Sequence, residues 1–245
     1  MRKRAASIGK KRSVFRWRSH EPSRLETFSD AVFAFAVTLI VVSLEVPRTF
    51  DELFEVFKGF FSFAACFGLL FLIWNSQNIF FRRYGLNNAY ITFLNAALLF
   101  VVLMYVYPLK FLFVVLFSNG TYNDHGHIIT MITDNQVPVL MAVYHAGYMT
   151  IYLIFLLMYI HARAKATALE LSPAELFETN TFIFINLINA CLGLAGLILV
   201  FLLPRAYKGW TGMIYMSIPF AFWLLFLFRG KKARKQFGEI TEQVS

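Results

Sequence analysis

Charged residues are scarce in this sequence, and their positions leave long stretches that carry none. Only 15% of the 245 residues are Asp, Glu, Lys or Arg, whereas 58% are hydrophobic and 18% are aromatic. A soluble chain of this length needs a larger polar exterior, so the composition excludes an ordinary soluble domain. Five charge-free stretches are long enough to cross a hydrocarbon core of about 30 Å as a helix. They are 59–81, 84–109, 135–162, 179–204 and 209–228.

A sixth apolar stretch, 31–44, is shorter, but Ser29, Asp30, Glu45 and Val46 complete a span at the two interfaces. The sequence therefore predicts an all-α, polytopic membrane protein with six transmembrane helices. The fifth predicted helix has a recognisable N-terminus, since Ser172 suits the N-cap, Pro173 the first helical position and Glu175 the third. The predicted ranges are 28–46, 54–81, 88–108 (or on to 117), 137–162, about 172–204, and 210–228.

Lysine and arginine are distributed unequally between the two sides of these helices. An N-terminus placed inside assigns all but five of the 23 Lys and Arg residues to the cytoplasm. The five exceptions are Arg48, Lys58, Lys110, Arg205 and Lys208. This asymmetry predicts that both termini are cytoplasmic. The predicted domains are a basic N-terminal segment (1–27), a transmembrane domain (28–229) and a cytoplasmic tail (230–245).

The net charge of +9 is explained by membrane topology and lipid contact, so no nucleic-acid partner is expected. Enzyme chemistry is missing as well: there is no paired acidic motif, no glycine-rich phosphate loop and no zinc cluster at helical spacing. Cys66 and Cys191 both fall in predicted spans and indicate neither a disulfide nor a metal site. His125 and His127 are poorly spaced for closed zinc coordination. We expect no enzyme activity, cofactor or bound metal.

The first predicted helix separates its residues into two faces. At 100° per residue, one apolar stripe has Thr38 on its flank and Arg24 as its extension. This stripe consists of Phe28, Ala31, Phe35, Leu39, Val42 and Val46. Asp30 lies about 140° from Phe35 and points elsewhere. Ser29 and Asp30 suit a helix cap, with Asp30 as an anchor for Arg24; an ion-ligand role for Asp30 is the alternative.

The start of this helix reads R-x-x-x-F-S-D, formed by Arg24, Phe28, Ser29 and Asp30. This motif, followed by six predicted spans, resembles the lysosomal/endosomal potassium channels of the transmembrane protein 175 family. The sequence also resembles bacterial members, which carry one six-helix repeat per chain, and the resemblance extends from residue 24 to about residue 228. Trp74, Asn95 and Pro108 agree with the family pattern. Gln77 departs from it, because members usually carry histidine in a W-x-x-H sequence there, so a neutral amide replaces a titratable ring.

The resemblance implies a homotetramer whose first helices surround a pore with an apolar constriction. Phe35 takes the narrowest position, Thr38 offers a ring of hydroxyl groups, and Leu39 and Val42 form further apolar levels. The sequence contains no T-V-G-Y-G, which excludes the usual carbonyl filter. Glu45 at the outer end of the helix is either a residue that enriches cations at the mouth or an ordinary interfacial charge.

The expected function is a potassium-preferring cation channel or leak pathway in a bacterial plasma membrane. Its partners are potassium, other monovalent cations and the lipid bilayer. Two alternatives stay open. A secondary transporter predicts an internal repeat or helices broken at midplane, and the sequence indicates neither. A non-conducting membrane scaffold predicts that changes in the Phe35 stripe alter assembly without altering flux.

Polar side chains within the other spans are expected to form hydrogen bonds between helices. They are Asn75, Gln77, Asn78, Asn95, His145, Asn186 and Asn189. His145 is interpreted as a core histidine with satisfied hydrogen bonds rather than a titrating group. Gly193 and Gly196 provide small positions suited to close contact between helices.

Overall fold

Helices make up nearly all of the chain that the computed structural model describes. The described residues are 15–19, 21–42, 49–50, 59–118, 120–124 and 127–237. They form six α-helices, namely α1 (Arg24–Val42), α2 (Phe60–Tyr84), α3 (Ala89–Phe117), α4 (Val137–Ala164), α5 (Pro173–Leu202) and α6 (Ile218–Phe237). A 3-10 helix, Arg205–Ser217, lies between α5 and α6.

Five segments of the described chain are long and apolar enough to cross a membrane. Four are the helices α2 to α5, and the fifth runs from Arg205 to Ala233, joining the 3-10 helix to α6. The described part of α1, which includes Arg24, Glu26 and Asp30, is not among the five. The predicted six-helix, all-α membrane fold is confirmed. The cytoplasmic location of the termini and the domain boundaries stay predictions.

The ends of the helices follow the local chemistry of the sequence. The Ser172 hydroxyl accepts from the Glu175 N–H, and the Glu175 carboxylate accepts from the Ser172 N–H, which is the predicted start of α5. Asn88 caps α3 by accepting from the Ile91 N–H. Helix α2 ends at Gly85, whose φ of 58° is left-handed and favours glycine.

The start of α1 corrects one prediction. Ser23 and Glu26 form the reciprocal capping pair, with Glu26 Oε1 accepting from the Ser23 N–H at 2.9 Å and Ser23 Oγ accepting from the Glu26 N–H at 3.3 Å. The helix therefore begins at Arg24, one and a half turns before Ser29. The prediction that Ser29 and Asp30 cap the helix is wrong, because both lie inside it.

Two further details differ from the predicted elements. The polar segment between α3 and α4 contains a two-stranded antiparallel hairpin, β1 (Thr121–Asp124) and β2 (His127–Thr130). The sixth span, predicted as one helix over 210–228, begins as a 3-10 helix. The side chains of Thr211 and Tyr215 in this 3-10 helix both bond His145 of α4, and this tertiary anchor accompanies the departure from α-helical geometry.

The helices pack in a chain of neighbours. Helix α1 lies against α2 and α3, α3 lies against α4, and α4 packs along α5, which carries the 3-10 helix and α6. The main apolar core is formed by buried side chains of α1 to α4. Close contact of α4 and α5 depends on glycine, as predicted: a Cβ at Gly193 would lie 2.9 Å from Met149 Cβ, and one at Gly196 would overlap the His145 ring.

Candidate functional site: the polar motif and open face of the first helix

A buried chain of side-chain hydrogen bonds joins α1, α2 and α3. Asn95 of α3 donates from its amide to the Ser29 hydroxyl of α1 at 2.9 Å, and Gln77 of α2 donates to Asn95 Oδ1. The Ser29 hydroxyl donates in turn to the Leu25 carbonyl at 2.8 Å. Ser29 and Asn95 are 0% exposed and Gln77 is 2% exposed. The structure thus brings together three of the residues that the sequence motif singled out.

This hydrogen-bond chain fixes how α1 is rotated and where it sits along α2 and α3. Each bond between helices in a membrane contributes about 1 kcal/mol. A buried amide that loses its partner costs more than this, so a slide or rotation of α1 is penalised. The chain is also uncharged, since serine, asparagine and glutamine do not titrate near neutral pH. Gln77 contacts Asn95, so its amide belongs to this neutral chain.

Asp30 lies on a different side of α1 and has a different partner. Its Oδ1 accepts from the Trp74 indole N–H of α2 at 2.7 Å. Arg24 and Asp30 stand six positions apart, which is about 120° around a helix, and both are exposed on the protomer. Trp74, and not Arg24, is therefore the partner of Asp30 within the described chain. The predicted anchoring of Arg24 by Asp30 is thus not seen in the described chain, where Asp30 is bonded to a tryptophan instead.

The face of α1 that carries Phe28 and Phe35 is exposed in the described protomer. Phe28 is 60% exposed and Phe35 is 56% exposed, whereas Phe33 and Ile40 on the core side are 4% and 1% exposed. Thr38 is also exposed, and its hydroxyl donates to the Ala34 carbonyl at 2.9 Å. A threonine bonded in this way keeps its oxygen lone pairs available on the exposed surface.

The remaining predicted pore residues, Leu39, Val42 and Glu45, are not all on the exposed face or among the described side chains. Leu39 is half-buried and packs against the core, so it sits at the margin of the exposed face. Val42 lies in α1, but its side chain is outside the described residues, and so is Glu45. The open face is centred between Phe35 and Thr38, slightly rotated from the stripe that the sequence suggested, because Ala31 and Ala34 are exposed beside Phe35.

A second polar cluster involves His145 of α4, which is 1% exposed. Its Nδ1 lies 2.8 Å from the Tyr215 hydroxyl and its Nε2 lies 3.0 Å from Thr211 Oγ1. Both ring nitrogens are bonded, which agrees with the interpretation of a satisfied core histidine. In the part of the chain that the structure describes, no three His, Cys, Asp or Glu side chains are grouped to hold a metal ion.

Residues 15–19 form a contact region that sequence reasoning missed. Their basic and aromatic side chains were assigned to topology and lipid contact. In the structure they lie against the ends of α2 and α5, with Phe15 only 3% exposed. The available signal was the alternation of aromatic and arginine residues in Phe-Arg-Trp-Arg, together with the acidic residue of the α5 capping box.

Comparisons with known proteins fit this arrangement. Residues 24–108 match the family model described as endosomal/lysosomal potassium channel TMEM175. A protein of Marivirga tractuosa named as a potassium channel is 36% identical over 221 residues, which cover 85% of this chain and 89% of that protein. A potassium channel of Chamaesiphon minutus is 26% identical over 96 residues, or 36% of this chain and 47% of that protein.

Two solved structures are similar as well. The crystal structure of a variant of the potassium channel MtTMEM175, in complex with a nanobody fusion protein, gives a TM-score of 0.75 at 33% identity. The match covers 91% of this chain and 97% of that one. A lysosomal potassium-selective channel TMEM175 homologue from Chamaesiphon minutus gives a TM-score of 0.52 at 19% identity, over 88% of this chain and 99% of that one, which shows the shared fold.

Proposed function

The chain belongs to the TMEM175 family, and we propose that it is a potassium-preferring cation channel. It works as a homotetramer in which α1 of each subunit lines a central pore. The observation that carries this proposal is the division of α1 into two faces. One face is fastened to α2 and α3 by the Ser29–Asn95–Gln77 chain, while the face with Phe35 and Thr38 is covered by nothing in the described protomer.

The barrier to ions is an apolar constriction at Phe35. Four phenylalanine rings around an axis offer no ligand that replaces the hydration shell of an ion. Passage then depends on pore width and on the cost of removing water, which is lower for potassium than for sodium. Thr38, one turn further along, supplies four hydroxyl oxygens that receive the partly dehydrated ion. Leu39 and Val42 narrow the path beyond it, and Glu45 concentrates cations at the outer mouth.

The rest of the proposal concerns placement in the cell. The protein is an integral membrane protein, and we place it in a bacterial plasma membrane with both termini in the cytoplasm. Support comes from the excess of Lys and Arg on the side of the termini. Further support comes from the organism of a similar potassium channel, Marivirga tractuosa, since that protein is 36% identical over 85% of this chain.

The decisive test compares potassium and sodium flux in liposomes for the purified wild type, Phe35→Ala and Thr38→Ala. We expect Phe35→Ala to raise the flux of both ions and to reduce the preference for potassium, because a wider path leaves ions hydrated. Thr38→Ala should lower potassium flux. The matched control is Phe226→Ala on α6, since Phe226 is 54% exposed, close to the 56% of Phe35.

The outcomes separate the hypotheses. A wild type that carries no ions, in a tetramer intact by native mass spectrometry, would leave the membrane scaffold as the better explanation. An equal effect of Phe35→Ala and Phe226→Ala on ion flux would mean that α1 does not line the pore. Particles of another subunit number would refute the homotetramer.

A further inference from the structure

The residues before α1 form an N-terminal clip, defined here as residues 15–19. Phe15 packs edge-on against Tyr84 at the end of α2, with ring centroids 5.4 Å apart and planes at 82°. The Arg83 guanidinium lies 4.8 Å from the centre of the Phe15 ring. Because the Phe15 ring is 3% exposed and makes both of these contacts, it anchors the start of the clip in the apolar core.

Arg18 is the polar anchor of the clip. Its two terminal nitrogens lie 2.9 and 3.0 Å from Oε1 and Oε2 of Glu175, in the two-point geometry that arginine forms with a carboxylate. Its Nε donates to the Leu169 carbonyl in the α4–α5 connection at 2.9 Å. Glu175 is 3% exposed, so this ion pair is shielded from water on the carboxylate side.

The Glu175 carboxylate accepts more than the two arginine bonds. Its Oε1 accepts from the backbone N–H of Arg16 at 2.9 Å, and its Oε2 accepts from the Ser172 N–H at 2.8 Å. One carboxylate therefore caps α5 and holds both the side chain of Arg18 and the backbone of the clip. Removing one partner from such a site leaves buried groups unpaired, which costs more than the pair itself contributes.

The clip also closes the end of α2. The N–H groups of Arg18 and Ser19 lie 3.0 and 3.4 Å from the Arg82 carbonyl, one of the carbonyls that a helix C-terminus leaves unpaired. Gly85 is left-handed here, and the backbone of Arg18 passes 3.7 Å from the place where its Cβ would stand. The Arg82 guanidinium lies 3.6 Å above the Trp17 ring. These contacts give the clip a single position on α2.

The position of the clip matters because α1 follows at once. Its last residue, Ser19, is five positions before Arg24, a distance of at most about 17 Å for extended chain. Helix α1 itself packs on α2 and α3, whereas Arg18 reaches the α4–α5 connection and the start of α5. The clip thus connects the beginning of α1 to the second half of the molecule.

We propose that Arg18, acting through Glu175, is a positioning residue for the permeation path. It holds the beginning of α1 at a fixed distance from α2 and α5, and this fixes the width of the constriction that Phe35 forms further along the same helix. This inference rests on the proposed function, since it assigns the clip to the channel that α1 lines. The width of a constriction without an ion ligand decides how much water an ion must lose, so a looser α1 discriminates less between potassium and sodium.

The test compares Arg18→Gln, Arg18→Lys and Arg16→Gln in liposomes, with the potassium-to-sodium flux ratio as the readout. Arg18→Gln should lower the ratio by about three- to tenfold, the range of couplings between distant sites. Arg18→Lys should lower it less, because a lysine keeps the charge but binds at one point. Arg16→Gln is the matched control: it removes the same charge two residues away, from an exposed side chain, and keeps the backbone bond to Glu175.

The partner residue gives a second test. Because Glu175→Gln alters the same contact, the double variant with Arg18→Gln should lower the ratio no further than the stronger single variant. If the two single effects on the flux ratio add in the double variant, Arg18 and Glu175 do not act as a pair. Equal effects of Arg16→Gln and Arg18→Gln would show that only basic charge matters, and an unchanged ratio in Arg18→Gln would also overturn the inference.

A readout without flux keeps this inference separate from the proposed function. A spin label on Thr27→Cys, in a chain with Cys66→Ala and Cys191→Ala, reports the motion of the start of α1. We expect Arg18→Gln to increase label mobility and Arg16→Gln to leave it unchanged. A wild type without flux would refute the channel, while label mobility would still decide whether the clip holds α1. Equal mobility in all variants would refute the clip.

Discussion

The first three helices and the last three are held together by different means. Between α1, α2 and α3 the specific contacts are polar: the Ser29–Asn95–Gln77 chain and the bond from Trp74 to Asp30. Helices α4 and α5 share a polar bond too, from the Tyr148 hydroxyl to Asn189, but their backbones also approach closely at Gly193 and Gly196. His145 of α4 bonds the 3-10 helix. Close approach at small residues is a common way to join helices in lipid, where apolar burial gives little driving force.

The comparisons with known proteins also differ between the two halves. The family model matches residues 24–108, which is α1, α2 and most of α3, whereas the relative from Marivirga tractuosa matches 85% of the chain. We infer that the first half holds the permeation path in register and that the second half is the support on which it rests. Substitutions in the first half should change ion flux, and substitutions in the second half should change stability, apart from Glu175, which holds the clip through Arg18.

The largest effect is expected from Asn95→Leu. This change removes the bonds to Ser29 and Gln77 at a site that is 0% exposed, and it leaves the Gln77 amide unpaired. The expected loss is about 2–3 kcal/mol of stability. Flux per folded protein should fall as well, because α1 is no longer fixed in rotation. Thermal unfolding in detergent and liposome flux measure the two quantities.

The same substitution in the other half is the control for Asn95→Leu. Asn189 is 2% exposed, accepts from the Tyr148 hydroxyl at 2.5 Å and donates to the Ile185 carbonyl. Asn189→Leu should therefore destabilise the protein too, while the flux per folded protein stays at the wild-type level. A similar loss of flux in both variants would contradict the division between the halves.

A smaller effect, on stability alone, is expected from Gly196→Ala. The added Cβ meets the His145 ring, whose two nitrogens are both engaged, so the ring cannot move without breaking a bond. Overpacking of this kind costs about 1–2 kcal/mol. The melting temperature should fall, and the flux per folded protein should be retained.

Gly68→Ala in α2 is the matched control, because nothing lies within 4 Å of a Cβ placed there. Alanine is favoured over glycine in a helix by up to about 1 kcal/mol, so this variant should be as stable as the wild type or more stable. A fall in melting temperature equal to that of Gly196→Ala would refute a special role for the α4–α5 contact.

The fold was more predictable than the contacts within it. Charge-free stretches located all six helices, because the membrane excludes charge along its whole thickness. The start of α5 was correct, since Ser172 and Glu175 have the spacing of a capping pair. Ser23 and Glu26 have the same spacing, but Ser29 and Asp30 stand closer to the apolar run, so the sequence favours the wrong pair as the cap.

The sequence alone could not predict which side chains bond to each other, and the reason is physical. Helical periodicity says which residues share a face, and it does not say which helix that face meets. Asn95 and Gln77 were correctly chosen as polar residues at membrane depth, but their bonds to each other and to Ser29 depend on the packing of three helices. Arg18 and Glu175 are 157 positions apart, so no local pattern connects them.

The smallest effect is expected at the boundary between the halves, where α3 meets α4. The Tyr144 hydroxyl donates to the Pro108 carbonyl at 2.9 Å, and the Tyr105 hydroxyl donates to the Tyr144 carbonyl at 2.7 Å. Tyr144→Phe removes one of these bonds and keeps the ring, so it should cost about 0.5 kcal/mol. The melting temperature should fall only slightly, as measured against Tyr90→Phe, whose exposed ring contacts His161 without needing its hydroxyl. A loss of potassium selectivity in Tyr144→Phe would contradict the division between the halves. It would mean that a hydrogen bond between α3 and α4 controls the permeation path at Phe35.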